Sequence, residues 1–144
     1  WENFAKLSDL LVERFGAKIT IAGAKKDVKL AEDIKGMMRR EPIIMCGKTT
    51  LKQLGALVEK AKLVIANDTG PMHIAVAMKT KTIALFGPTS PHITGPYGIG
   101  NYRVISENET CEVPCYDITC NDNRCMVAIT VGDVLKEVET ILKK

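Results

Sequence analysis

Residues Leu63–Gly87 read LVIANDTGPMHIAVAMKTKTIALFG, and they decide the fold. The apolar run Leu63, Val64, Ile65, Ala66 stops at the polar turn Asn67-Asp68-Thr69-Gly70-Pro71. Met72, Ala75, Val76 and Met78 follow at helical spacing, and a second apolar run, Thr82–Phe86, ends at Gly87-Pro88. The pattern predicts strand, tight turn, helix and strand, a βαβ unit. Its polar residues gather where the first strand passes into the helix. In open α/β sheets that end of the strands holds ligands.

The residue types at this junction suit an anion. Pro71 fits the first helical turn, where its missing N–H costs nothing and its φ is already helical. Gly70 is then expected at the N-cap, with no side chain to block an approaching group. The unpaired N–H groups of the first turn and the positive end of the helix dipole favour negative charge. Thr69 adds a hydroxyl donor. A carboxylate at Asp68 would repel a bare phosphate, but suits sugar hydroxyls beside one. His73, one turn in, can reach a phosphate or a hydroxyl from the same face. A plainer reading is also open: Asp68 caps the helix and His73 is a satisfied, half-buried histidine.

The heptad Asn67-Asp68-Thr69-Gly70-Pro71-Met72-His73, with Phe86-Gly87-Pro88-Thr89 and Gly95-Pro96-Tyr97-Gly98 downstream, resembles family-nine glycosyltransferases. These are the heptosyltransferases of the bacterial lipopolysaccharide inner core. Asp-Thr-Gly-Pro-x-His followed by Phe-Gly-Pro-Thr is far more specific than a lone glycine pattern. The likeness extends, more loosely, from Trp1 to the last helix. It implies the C-terminal, donor-binding half of a GT-B enzyme whose usual donor is ADP-heptose.

The totals fit one domain of ordinary size, spanning 1–144. At 144 residues, 46% hydrophobic and 26% charged, the chain can bury a core. The net charge of +3 is mild and its cations are dispersed, so no general nucleic-acid or membrane surface is expected. No apolar stretch approaches membrane-spanning length, and no signal-peptide pattern occurs. The chain opens at Trp1 without Met, inside what reads as a helix entry, and is expected to be part of a longer protein.

Working outward, Trp1–Phe15 places Phe4, Leu7, Leu11 and Phe15 on one helical face, with Gly16 as its stop. Lys18–Ala22 reads as a strand. A helix is expected over roughly Asp27–Arg39 with Val28, Leu30, Ala31, Ile34 and Met38 inward. Ile43–Met45 is a second strand, and Thr49 or Thr50 caps a helix to about Ala61, buried through Leu51, Leu54, Leu57 and Val58. Tyr102–Ile105 is the last strand. Thr130-Val131-Gly132-Asp133 resembles a capping box opening a final helix, buried through Val134, Leu135, Val138, Ile141 and Leu142. Alternating strands and helices predict a Rossmann-like α/β fold, a parallel sheet with helices on both faces.

Two other strand ends offer candidates. Asp27, after Gly23-Ala24-Lys25-Lys26, is the nearest match to the acid that the family uses for ribose hydroxyls; equally, it is an N-cap. Gly47-Lys48-Thr49-Thr50-Leu51 resembles the family segment flanking the base. Some members carry Met at the position of Thr49, and Lys48 is either a phosphate partner or a solvated lysine. Neither a Walker motif nor a dinucleotide glycine fingerprint is present. Gly87–Gly100 (GPTSPHITGPYGIG) is expected to be neither helix nor central strand. Family resemblance has this loop shape the sugar and phosphate side of the pocket, with Thr89 and Ser90 offering hydroxyls and Tyr97 an aromatic platform. His92 has no assigned role.

Cys111, Cys115, Cys120 and Cys125 lie within 15 residues of one another. Four thiolates can hold zinc, but the paired Cys-x2-Cys spacing of zinc ribbons is absent, and disulfides do not suit a cytosolic enzyme. Family members carry a similar run without a known metal. Thiols packing a loop, a structural metal and a disulfide staple all remain open. Cys46 reads as a small buried hydrophobe.

The leading expectation is a donor-binding domain that transfers heptose when joined to its N-terminal half. That half carries the acceptor site, the lipopolysaccharide core contact and the general base, so no catalytic residue is expected in this chain. Asp68, Thr69, Gly70, Pro71, His73, Asp27, Lys48, Thr49 and Thr89 would hold the donor, with no cofactor required. The protein would be cytoplasmic, with peripheral membrane association only for the full protein. Two other readings are a cysteine-stapled interaction module, which would bind zinc and no nucleotide, and a nucleotide-sugar epimerase, which would need acid and base residues not found here.

Overall fold

The structure is a computed structural model, and it describes residues 1–107, 111–117 and 119–143. The chain divides into two compact units, Trp1–Leu54 and Gly55–Lys144.

The first unit contains α1 (Glu2–Phe15), β1 (Thr20–Ile21), a 3-10 turn (Lys25–Asp27), α2 (Val28–Met37), β2 (Ile43–Ile44) and the first turn of α3 (Leu51–Glu59). Gly16 ends α1 at φ 60, donating its N–H to the carbonyl of Val12 at 3.0 Å. That left-handed backbone costs glycine nothing. Ala5, Leu7 and Leu11 are buried, whereas Phe15 is 41% exposed. Asp9 is buried instead: its Oδ1 accepts the Arg39 N–H at 2.9 Å, and its Oδ2 faces Arg39 Nε at 3.3 Å. A buried carboxylate needs such partners, and Arg39 follows directly on the end of α2.

The inward stripe of α2 is narrower than its spacing predicts. Ala31 and Ile34 are buried while Val28 and Leu30 stay exposed. β1 and β2 pair in parallel, Thr20 with Ile43 and Ile21 with Ile44. Thr50, rather than Thr49, caps α3. Its N–H donates to Gln53 Oε1 at 2.9 Å, and its hydroxyl oxygen accepts the Gln53 N–H at 3.3 Å. Leu51 is therefore the first helical residue, and it is 73% exposed rather than buried.

The second unit holds the rest of α3, then β3 (Val64–Asn67), α4 (Gly70–Ala77), β4 (Thr82–Phe86), α5 (Pro91–Thr94), β5 (Tyr102–Ser106), α6 (Arg124–Val127) and α7 (Val131–Leu142). Its strands form a parallel sheet of order β3-β4-β5, with Val64 opposite Thr82 and Thr82 opposite Tyr102. β4 is buried at every residue. Side chains alternate along a strand, so Ala84 and Phe86 share the face covered by Met72 and Val76 of α4. Ile83 and Leu85 are buried on the opposite face. α7 packs on β4 and β5, with Val134, Leu135, Val138 and Ile141 buried.

Polar groups in this core are paired. Thr80 Oγ1 donates to the Val58 carbonyl at 3.0 Å, and Thr82 Oγ1 to the Thr80 carbonyl at 2.8 Å. The ammonium of Lys81 donates to the Ile141 carbonyl at 2.8 Å, meeting a group that α7 leaves open at its end. The capping box at Thr130 forms as expected: its N–H donates to Asp133 Oδ2 at 2.9 Å and its hydroxyl oxygen accepts the Asp133 N–H at 3.2 Å. Met78 departs from the expected helical face. It is the C-cap of α4 and 36% exposed, because Lys79 turns the chain away at φ 59.

Candidate functional site

The βαβ unit delivers its polar turn at the carboxyl end of β3, beside the carboxyl end of β4. The Asp68 N–H donates to the Leu85 carbonyl at 3.1 Å, which fixes the turn to the sheet. The helix boundary lies one residue earlier than expected. Thr69 is the N-cap, extended at φ −153, so Gly70 and Pro71 are the first helical residues. A Cβ built at Gly70 would meet nothing within 4 Å, and the approach to the helix start is open. Thr69 Oγ1 donates to the Asn67 carbonyl at 3.1 Å. Its proton therefore has to swing away from the strand end before it can serve a ligand.

Asp68 does not cap α4, whose N-terminus carries no side-chain cap bond. Its Oδ2 instead accepts the hydroxyl of Thr94 at 2.7 Å, and its Oδ1 lies 3.9 Å from His73 Nε2. The side chain of Asp68 is 14% exposed and that of His73 is 48% exposed. His73 is thus an open group facing a carboxylate across a gap longer than a hydrogen bond, not a satisfied half-buried one. Pro71 has no N–H and the Met72 N–H donates to the Thr69 carbonyl at 3.0 Å, so the helix start offers the Gly70 N–H, close in the chain to the half-sheltered Asp68 carboxylate and its imidazole neighbour. That set can hold a sugar diphosphate, with the acceptor on hydroxyls and the donors on phosphate oxygens.

Thr94 had no assigned role in the sequence, because Gly87–Gly100 was expected to hold no helix. Ser90 is the N-cap of α5 and Pro91 opens it, a Ser-Pro pair that could have signalled a helical turn. The Ser90 carbonyl accepts the N–H groups of Ile93 at 2.9 Å and Thr94 at 3.0 Å. A Cβ at Gly95 would collide with the Pro91 carbonyl oxygen, so only glycine lets the chain leave the turn this tightly. Thr89 lies half-buried between β4 and α5; Tyr97 is 95% exposed, and His92 is exposed on α5.

The other candidates stand in the first unit, at the ends of β1 and β2. Asp27 Oδ2 accepts the Ala24 N–H at 2.8 Å and closes the 3-10 turn. Gly23 admits it, since a Cβ there would lie 2.9 Å from the same oxygen. Lys48 donates its ammonium to the Ile44 carbonyl at 2.9 Å, and Thr49 is half-buried beside it. Both charged groups thus have local backbone partners.

All five cysteines are free thiols: Cys46 and Cys125 are buried, Cys111 and Cys115 half-buried, and Cys120 exposed. Burial pushes the Cys125 thiol up, and the neighbouring Cys111 adds to it. Burial likewise raises Cys46, with Asp27 adding to it. Among the described residues, no group of three or more His, Cys, Asp or Glu is placed to hold a metal ion.

Residues 1–125 match the model of glycosyltransferase family 9 (heptosyltransferase). The chain belongs to glycosyltransferase family 9. Within the family it is similar to lipooligosaccharide heptosyltransferase 2 of Campylobacter jejuni, at 32% identity over 146 residues, covering 98% of this chain and 43% of that protein. Among solved structures it is similar to a family 9 glycosyl transferase from Veillonella parvula, with a TM-score of 0.86 and 30% identity over 98% of this chain and 40% of that one. The ADP-heptose lipopolysaccharide heptosyltransferase II of Escherichia coli gives a TM-score of 0.83 at 27% identity, over 98% of this chain and 40% of that one. The chain therefore spans about two fifths of the length of these relatives. The Rossmann-like α/β fold expected for one half of a GT-B glycosyltransferase is borne out.

Proposed function

We propose that this chain is the donor-binding part of a heptosyltransferase, which transfers heptose from ADP-heptose to the lipopolysaccharide inner core. The observation that carries the reading is the Asp68 carboxylate standing beside the unshielded start of α4. The names of the relatives support the class of donor and acceptor. In the transfer, the acceptor hydroxyl attacks the anomeric carbon, the bond from that carbon to the diphosphate breaks, and ADP leaves. The growing charge on the diphosphate is met by the Gly70 N–H at the positive end of α4, by the Thr69 hydroxyl and by His73. Asp68 accepts hydrogen bonds from the sugar. These groups supply the charge compensation themselves, so the reading invokes no cofactor.

The base that takes the acceptor proton, and the acceptor site, belong to a preceding N-terminal half. Asp27 and Lys48 are assigned to ribose and phosphate and Thr49 to the base side of a donor, and Thr89 is assigned to a sugar. Transfer takes place in the cytoplasm, at the inner face of the membrane.

Calorimetric titration with ADP tests the assignment, comparing the natural protein with Thr69→Ala and His73→Ala. Saturable binding weakened by both changes is expected. A full protein that binds neither ADP nor ADP-heptose defeats the proposal.

A further inference from the structure

Thr94 and Asp68 are far apart in the chain, yet the Thr94 hydroxyl donates to Asp68 Oδ2 at 2.7 Å. The same hydroxyl lies 3.3 Å from the Ser90 carbonyl, a longer and weaker contact. The α5 turn does not need the side-chain bond for its own closure, because the Ser90 carbonyl already accepts the N–H groups of Ile93 and Thr94. What the bond does is fix the carboxylate. With Oδ2 occupied, the plane of Asp68 is set and Oδ1, on the His73 side, is left for a ligand. Gly95 holds the arrangement in place, since only a residue without Cβ can follow Thr94 past the Pro91 carbonyl.

We propose that Thr94 is a positioning residue for the donor sugar: it presets the Asp68 carboxylate so that one oxygen faces the sugar hydroxyls. This inference rests on the donor-binding reading above. A carboxylate held in one orientation before binding loses less freedom when a hydroxyl docks, and hydroxyl recognition depends on that orientation. The contribution belongs to the sugar and not to the diphosphate, which is met by α4 instead.

The test measures affinity for ADP and for ADP-heptose by calorimetry on the full natural protein, with Thr94→Val, Thr94→Ala and Thr94→Ser. Thr94→Val and Thr94→Ala are expected to weaken ADP-heptose about tenfold, the scale of a hydrogen bond to a charged group, while changing ADP less than about twofold. Thr94→Ser keeps the hydroxyl and should restore the affinity for ADP-heptose. Equal loss for both ligands would mean a structural role only and overturns the proposal, as does no loss for either, or failure of serine to rescue. If the natural protein bound neither ligand, the donor-binding reading would fall and this proposal with it. Binding with no split between the ligands removes this proposal alone.

Discussion

Cys115 donates its backbone N–H to the carbonyl of Pro88 at 2.7 Å, joining the cysteine segment to the exit of β4. The Met126 side chain lies where a Cβ at Gly87 would stand, and Cys125 Sγ would be 3.5 Å from that atom. The segment that carries Cys111–Cys125 thus braces the Gly87-Pro88 step from which the Thr89 loop departs.

Gly87→Ala places a methyl group against Met126. Overpacking of a close contact destabilises by roughly 1–3 kcal/mol, and a flexible thioether keeps the cost toward the lower end. Urea unfolding should show the loss, and Met126→Ala in the same chain should remove most of it. Independent, additive effects of the two changes would show that the contact does not exist.

Thiol reactivity should follow exposure. Cys120 is exposed, whereas Cys46 and Cys125 are buried with their thiols pushed up by burial, so less thiolate forms at neutral pH. A chromogenic disulfide reagent at pH 7 should label Cys120 first and leave Cys46 and Cys125 until denaturant is added. Early labelling of either buried cysteine would contradict the packing.

The Thr130–Asp133 box should be visible in stability and in its pH dependence. Thr130→Ala removes an N-cap and should cost about 1 kcal/mol in chemical unfolding. Hydrogen bonds from Thr130 hold the Asp133 carboxyl below the usual aspartate range. A depressed folded value means that the contribution is present above the unfolded pKa, near 4, and is lost as pH falls through the folded one. Asp133→Asn should therefore flatten the fall in melting temperature between pH 5 and pH 2. An unchanged slope would rule the box out as its source.

Phe86 is fully buried at the end of β4 against Met72 and Val76. Truncation to Ala there should cost about 3–5 kcal/mol by lost burial and the cavity left behind. A thermal melt of Phe86→Ala that overlaid the wild type would refute this account of the core.

Much of this organisation is legible without coordinates where one physical effect dominates. β4 was expected over Thr82–Phe86 and has those bounds, because a strand buried on both faces shows as an unbroken apolar run. The Thr130 box was legible because its bonds are local. Spacing misplaced Phe15, Val28, Leu30 and Leu51, which are exposed, since periodicity marks a face but not how far along the helix something covers it. The start of α4 shifted by one residue, because Thr69 takes the extended backbone for which glycine offered no advantage. The bond from Thr94 to Asp68 was out of reach, as it joins two turns that only the folding of β3 and β4 side by side brings together.

β4 has a neighbour on each edge and packed side chains on each face. A polar replacement in its middle has nowhere to go, while the turns that leave β3 and β4 carry exposed residues such as Thr69 and Thr94. Heritable change is thereby channelled toward Asp68–Thr69 and Thr89–Thr94, where a new side chain alters the surface and leaves the strands intact. The scaffold is stiff where change would be fatal and permissive at its turns, so those turns can diversify without a sturdier core evolving first.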